Sequence, residues 1–320
     1  MMLRLANRCL SPGGTGGRLS VLIFHRVAAA PDVLQPDELD ARQFDRILGW
    51  LGRGFQVLPL ADALQRLSSG TLAPRAAAIT FDDGYLDNHA VALPLLQRHG
   101  LTATFFIATD FLDGGMMFND AIIASIRETQ RSALGLEALG LGVLPVSTLE
   151  QRRDAVRRVI SAVKYLDPAE RGRAVQALHR AAGTAPAGDP MMQRRHLADL
   201  LSAGMSIGAH TCSHPILSRL ADPLALREIR NSKQRLESEL GVEVPLFAYP
   251  NGKPGTDYTA AHADMVRACG FRGAVSTAPG AARQAGDVFQ VPRFLPWDRT
   301  GLRFGLRMLL NLRTRVETVS

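Results

Sequence analysis

Short continuous apolar runs recur along the chain, and between them lie segments whose apolar residues repeat at helical spacing. Val21 to Phe24 is the first such run, and it follows a loop rich in Gly, Ser and Pro from Ser11 to Ser20. Phe44, Ile47, Leu48 and Leu51 then share one face of a helix that stops at Gly54, and Phe55 to Leu58 predicts a short strand. The run Ala76 to Phe81 is apolar without alternation, as in a strand covered on both faces, and it ends at Asp82-Asp83-Gly84. A helix with Val91, Leu95 and Leu96 inward closes at Gly100, and Ala103 to Ile107 predicts another buried strand. Later strands are predicted at Met205 to Gly208, Val244 to Tyr249, Phe271 to Ser276 and Val288 to Val291. Among them Asp222-Pro223 predicts an N-cap and first helical residue for a helix carrying Leu226, Ile229, Leu236 and Leu240 and stopping at Gly241. Strands separated by helices predict an α/β fold with a mostly parallel sheet, whose functional groups gather at the carboxyl ends of the strands.

Residues from about 112 to 195 break this rhythm. They carry helical patterns such as Val156, Val159, Ile160 and Val163 without a convincing strand, which predicts a helical insertion, and Ala181 to Pro190 is expected as a surface loop. The expected organisation is a tail over 1–20, a barrel over 21–298 interrupted by that insertion, and a basic amphipathic segment over 299–320. In the last segment Arg299, Arg303 and Arg307 fall on one helical side and Leu302, Leu306, Leu309 and Leu310 on another. Two readings stay open there: weak association with an anionic membrane surface, or docking of the apolar face on the barrel.

With 320 residues, 46% of them hydrophobic, the chain can build one large core plus an insertion. An excess of 37 Lys and Arg over 30 Asp and Glu favours anionic partners such as phospholipid headgroups or acidic glycans. Nucleic acid is not among the expected partners, because the arginines are scattered and only four Tyr and two Trp could stack on bases. Cys9, Cys212 and Cys269 are too few and too far apart for a disulfide framework or a CxxC zinc site. No signal-peptide core and no run of ~18 uncharged apolar residues is readable, so the expected location is cytoplasmic or peripheral to the inner membrane. Nothing in the pattern indicates an oligomeric state.

The candidate chemistry stands at two strand ends. In a continuing strand the side chains of Asp82 and Asp83 would point to opposite faces, but Gly84 lets the chain turn so that both can face one cavity. Two carboxylates that close raise one pKa unless a cation intervenes, so a bound metal would let one ligate while the other acts as a base. A solvated Asp-Gly turn is the plainer alternative. The second element is His210-Thr211-Cys212-Ser213-His214, after the strand ending at Gly208. One helical turn between the two imidazoles would put them on one side, which suits a single divalent ion, and would send Cys212 away into packing.

Together these residues resemble the NodB-homology polysaccharide deacetylases, carbohydrate esterase family 4, over roughly Val21 to Phe111 and His196 to Trp297. The resemblance implies a distorted, partly open (β/α) barrel and a hydrolase that removes acetyl groups, N-acetyl by preference, from a bacterial polysaccharide or exopolysaccharide precursor. It implies Asp82 as general base and Asp83, His210 and His214 as ligands of a divalent metal. Zinc is the default for such donors, with cobalt, nickel or iron also compatible.

Two departures stand out. The segment Phe247 to Gly252, which holds Tyr249, Pro250 and Asn251 as expected substrate-binding residues, lacks the family's Arg before Pro250. Arg293 in Val291-Pro292-Arg293-Phe294 is expected to orient Asp82 in its place, or else to form a surface ion pair, and Trp297 is expected to wall the acyl pocket. The family's C-terminal Leu-x-His is absent, since no histidine follows His262. His25, in Phe24-His25-Arg26-Val27, resembles the permuted arrangement of the poly-N-acetylglucosamine deacetylases and is the expected general acid. The other readings are a deformylase or deacetylase of a lipid-linked sugar at the membrane, and an inactive glycan-binding protein on the same fold.

Overall fold

The computed structural model describes residues 9–185 and 188–320. Residues 1–8, on which the reading of the N-terminus rests, and 186–187 within the expected Ala181 to Pro190 loop lie outside them. The described strands are β1 (Arg18–Phe24), β2 (Gln56–Val57), β3 (Ala76–Phe81), β4 (Thr104–Ile107), β5 (Ala133–Gly135), β6 (Val143–Pro145), β7 (Ser206–Ala209), β8 (Leu246–Ala248), β9 (Gly273–Val275) and β10 (Ala282–Arg283). The chain forms two compact units.

The larger unit runs to Ala30, over Leu39–Asp113, and from Met192 onward. Its sheet has the order β10, β1, β3, β4, β7, β8, β9, with β2 beside the start of β3. Every pairing is parallel except that of β10 with β1. The segment after β10 completes the ring. Ser276 N–H donates to the Val291 carbonyl at 2.8 Å, while Phe294 N–H donates to Val21 and Ile23 N–H returns a bond to Phe294. The first strand and the last barrel segment are therefore neighbours. Val288 to Val291, expected as a strand, is instead a turn that ends in a single bridge from Val291 to Val275.

Helices cover the sheet for the reason the periodicity gave. In Ala41–Gly54, Asp40 caps Gln43 N–H at 2.7 Å, and Phe44, Ile47, Leu48 and Leu51 are buried. Each such side chain stabilises the fold by roughly 1.5–3 kcal/mol. The helix over Asp222–Leu240 begins one residue early, so Pro223 is not its first residue, and it buries Ala225, Ile229, Ser232 and Leu236. Leu226 and Leu240 lie outside that buried set. After β3 a π-turn over Asn88–Ala92 leads into the following helix, where Leu96 is buried as expected together with Leu93, and Val91 and Leu95 are half-buried against the same core. The tail expected to reach residue 20 is shorter, because β1 begins at Arg18 and the Ser11 hydroxyl accepts its N–H at 3.0 Å.

The smaller unit comprises Pro31–Glu38 and Gly114–Met191. Three helices, Phe118–Glu128, Leu149–Val163 and Pro168–Ala182, pack around Ile122, Ile126, Val159 and Leu178. The expectation of an insertion without strands fails: β5 and β6 form an antiparallel hairpin that adds Leu134 and Leu144 to this core. With one buried position per short strand, the hairpin leaves no alternation long enough to read. Pro31–Glu38, distant in sequence, contributes Leu34, and Asp32 pairs with Arg127 at 2.6 Å.

Candidate active site

The carboxyl ends of β3, β7 and β8, together with the closing segment, bring most of the expected residues together. The turn after β3 starts at Asp83 itself, with φ 77°, and continues through Gly84 at 91°. A Cβ on Gly84 would also meet the Ile107 side chain at 3.3 Å. This backbone turns Asp83 toward His210 while Asp82 stays anchored to β1 through its N–H, 2.9 Å from the Phe24 carbonyl.

Asp83 Oδ1 lies 3.4 Å from His210 Nε2 and 3.3 Å from His214 Nε2. Ligands about 2.1 Å from a tetrahedral ion stand ~3.4 Å apart, so this spacing matches one shared cation. Asp83 Oδ1 is buried without a hydrogen-bond partner among the described residues, a state that calls for a cation or an ordered donor. His210 Nδ1 sits 2.8 Å from the Ala248 carbonyl, which places the proton there and leaves Nε2 with a lone pair facing Asp83. The donor set therefore fits a divalent metal.

The His loop does not make the helical turn that the i, i+4 spacing suggested. Thr211 and His214 take φ of 66° and 55°, and this left-handed backbone converges the two rings to 4.7 Å between centroids. The residue that holds this loop was missed in the sequence. Glu228, on the Asp222–Leu240 helix, accepts from Cys212 N–H at 2.8 Å, Ser213 N–H at 2.9 Å and Ser213 Oγ at 2.9 Å. Its one sequence signal is an acidic residue beside the buried position Ile229, which is too common to single it out. Cys212 faces the same helix, and burial pushes its thiol up to about 11, so it packs rather than ligates.

Arg293 resolves the first departure from the family pattern. Its guanidinium reaches both oxygens of Asp82, at 2.6 and 2.7 Å, with the Arg293 side chain fully buried, so the surface ion pair is excluded. Nε donates to Ser276 O at 2.8 Å, which fixes the fork. Burial raises the Asp82 carboxyl, but Arg293 and then His210 outweigh it, and the group is held below the ordinary carboxylate range. Asp83 is likewise raised by burial and lowered further by His214 and His210, to a net position well below that range. Burial takes His214 down to about 4 because Asp83 offsets it only in part, whereas at His210 the two aspartates prevail over burial and the shift is upward. At neutral pH the pocket thus holds two carboxylates.

His25 is exposed at the end of β1, close enough that its charge acts on Asp82, Asp83 and His214. Asn88 Nδ2 donates to its carbonyl at 2.8 Å. Tyr249 does not belong with the substrate-binding residues: it is fully buried, stacks on Tyr258 at 3.9 Å, and donates its hydroxyl to Phe289 O. Alternation along β8 sends this side chain into the core. Pro250 is buried, and Asn251 turns the chain at φ 58° with its carbonyl held by Thr277 Oγ1 at 2.7 Å. Trp297 is 57% exposed, with the Arg307 guanidinium 4.2 Å from its ring centroid.

Comparison with known proteins agrees with this architecture. The chain is 30% identical over 92 residues to the Bacillus subtilis (strain 168) protein YxkH, a match spanning 28% of the chain and about a third (32%) of that relative. Its fold resembles Streptococcus pyogenes deacetylase PplD in complex with acetate, with a TM-score of 0.62 and 16% identity over 92% of this chain and 98% of that one. It also resembles IcaB from Ammonifex degensii, with a TM-score of 0.58 and 17% identity over 90% and 97%. At such identities the likeness establishes the fold, a (β/α) barrel of the deacetylase type. The sequence model for "Polysaccharide deacetylase" matches residues 69–132 and 177–274, just over half of the chain, and so spans both the Asp82-Asp83 turn and the His210 to His214 loop. The chain belongs to the polysaccharide deacetylase family.

Proposed function

We propose that the chain is a metal-dependent deacetylase that removes N-acetyl groups from a bacterial polysaccharide or exopolysaccharide precursor. The observation that carries this reading is the buried, unpartnered Asp83 Oδ1 facing His210 Nε2 and His214 Nε2, beside a second carboxylate gripped by an arginine. Asp83, His210 and His214 would hold the ion, with zinc first and cobalt, nickel or iron compatible with the same donors. When bound, it would polarise the acyl carbonyl and lower the pKa of a water beside Asp82.

The chain's own groups supply the rest. Asp82, ionised and oriented by Arg293, takes the proton of the attacking water as its oxygen joins the acyl carbon. A backbone N–H near Asn251 would donate to the oxyanion. His25 gives a proton to the nitrogen as the C–N bond breaks, which yields acetate and a free amine. An exposed rim position suits a donor that must meet a polymer arriving from solvent. PplD, the similar fold, is a deacetylase whose structure holds acetate, and this supports the same product here.

The test is acetate release from N-acetylated exopolysaccharide oligomers, before and after chelation and zinc restoration, with Asp82→Asn as control. Zinc-dependent release that Asp82→Asn lowers by ~10³-fold or more is the expected result. Stoichiometric glycan binding with no release by the zinc-loaded protein would favour the inactive binding reading.

A further inference from the structure

The C-terminal helix docks on the barrel by the face opposite to the one its leucines suggested. In Gly301–Asn311, Phe304 and Met308 enter the barrel core, and Phe304 packs on Trp50 at 5.5 Å between centroids. Asn311 Nδ2 donates to the Gly280 carbonyl at 2.9 Å, and Arg18 reaches the Leu312 carbonyl just past the helix end. This contact turns Leu302, Leu306 and Leu310 outward, at 64, 48 and 66% exposure. They follow one another at i, i+4 and i+8, so they form one stripe along the helix. Leu295 and Trp297, at 44 and 57%, are exposed in the segment leading into it. Docking of the leucine face on the barrel, open at the level of sequence, is thereby excluded.

From Arg299 to Val316 the charged residues are all basic. Arg299, Arg303, Arg307, Arg313 and Arg315 lie within this stretch, and no acidic residue occurs between Arg299 and Val316. Among the described residues Arg307 alone of these has a carboxylate, Asp298 at 2.9 Å, and it also covers the Trp297 ring at 4.2 Å. A second copy of the chain would bring two such arginine sets together without counterions. No helix among the described residues is long and apolar enough to cross a membrane. An apolar stripe flanked by arginines, with an aromatic at its end, fits the boundary between headgroups and acyl chains of an anionic bilayer.

We propose that the exposed face formed by Leu295, Trp297, Leu302, Leu306 and Leu310 seats this protein on an anionic phospholipid surface. Arg293, the partner of Asp82, lies four residues before Trp297, so the segment that closes the candidate active site leads directly in sequence into the docking face. A glycan presented at a membrane would thus meet the site without the enzyme leaving the lipid. The lipid contact does not depend on the deacetylase assignment.

Sedimentation of the full chain with phosphatidylglycerol and with phosphatidylcholine vesicles tests it. The expected result is binding to the first that exceeds the second by ~10-fold or more and weakens in high salt. Leu306→Glu with Leu310→Glu should reduce it by ~10-fold or more at an unchanged thermal midpoint, since both leucines are exposed. Arg299→Glu with Arg303→Glu should reduce binding to phosphatidylglycerol alone. Equal sedimentation with both lipids, none with either, or undiminished binding by the double-leucine variant would overturn the proposal. So would a concentration-dependent dimer that the leucine variant abolishes in a chain that ignores vesicles. Acetate release from soluble oligomers, measured on the same variants, reports separately on the catalytic reading.

Discussion

Arg293 holds both carboxylate oxygens of Asp82, at 2.6 and 2.7 Å, across 211 residues of chain. The pair is buried, so it fixes the Asp82 carboxylate in one orientation, and the arginine also opposes the upward pull of burial on that carboxyl. Arg293→Gln removes the main counter-charge, and burial then acts with less opposition. The acid limb of the kcat/KM profile should move to higher pH, and kcat should fall by ~10²-fold with metal content retained. Arg293→Lys, which keeps the charge but not the fork, should recover the position of the limb better than it recovers kcat. A Gln variant with wild-type kcat and profile would show that Asp82 needs no such partner.

Loss of a metal ligand has a different signature. His210→Ala and His214→Ala should each abolish stoichiometric metal in elemental analysis, because Asp83 Oδ1 has no other partner among the described residues. Full occupancy in the double variant would place the ion elsewhere.

His25→Ala separates protonation of the leaving group from assembly of the site. Its side chain is exposed and not within the donor set, so metal content should be unchanged. On an N-acetyl substrate kcat should fall by ~10²-fold or more, and on an ester by less, since an alkoxide departs more readily than an amide anion. Equal losses on both substrates would assign His25 another task.

Glu228 acts at one remove, through the three hydrogen bonds that hold the Cys212-Ser213 backbone and hydroxyl. Glu228→Ala should weaken metal affinity by ~10- to 100-fold in calorimetric titration, and Glu228→Gln, which keeps one acceptor, should restore part of it. If Ala and Gln lower affinity equally, the carboxylate charge rather than the loop geometry is the operative feature.

What the sequence made legible follows from the range of each interaction. β1, β3, β4 and β7, the Ala41–Gly54 helix and the Asp82, Asp83, His210 and His214 constellation all announce themselves through local periodicity or short motifs. Glu228, the β5–β6 hairpin and the membership of Pro31–Glu38 in the smaller unit depend on contacts between distant segments and leave no local trace. Tyr249 misled because it neighbours Asn251 in sequence while strand alternation sends its ring inward. The leucines of the last helix left two readings open, and only the packing of Phe304 and Met308 on the barrel, a contact between distant segments, excludes docking by the leucine face.

Asp83, Thr211, His214 and Asn251 are four of the five non-glycine residues with left-handed backbone among those described, and all four stand at strand ends around the site. Conformations of this kind each cost roughly 1–3 kcal/mol for such side chains, most for the β-branched Thr211. The rim is therefore the frustrated part of an otherwise relaxed barrel. Thr211→Gly removes one such strained position and should raise the melting temperature of the protein; an unchanged or lower midpoint would show that the Thr211 side chain contributes more than its backbone costs. The bonds from Glu228 to Cys212 and Ser213 hold part of this backbone in place, so the strain is a measure of how far the barrel has been bent to shape its site.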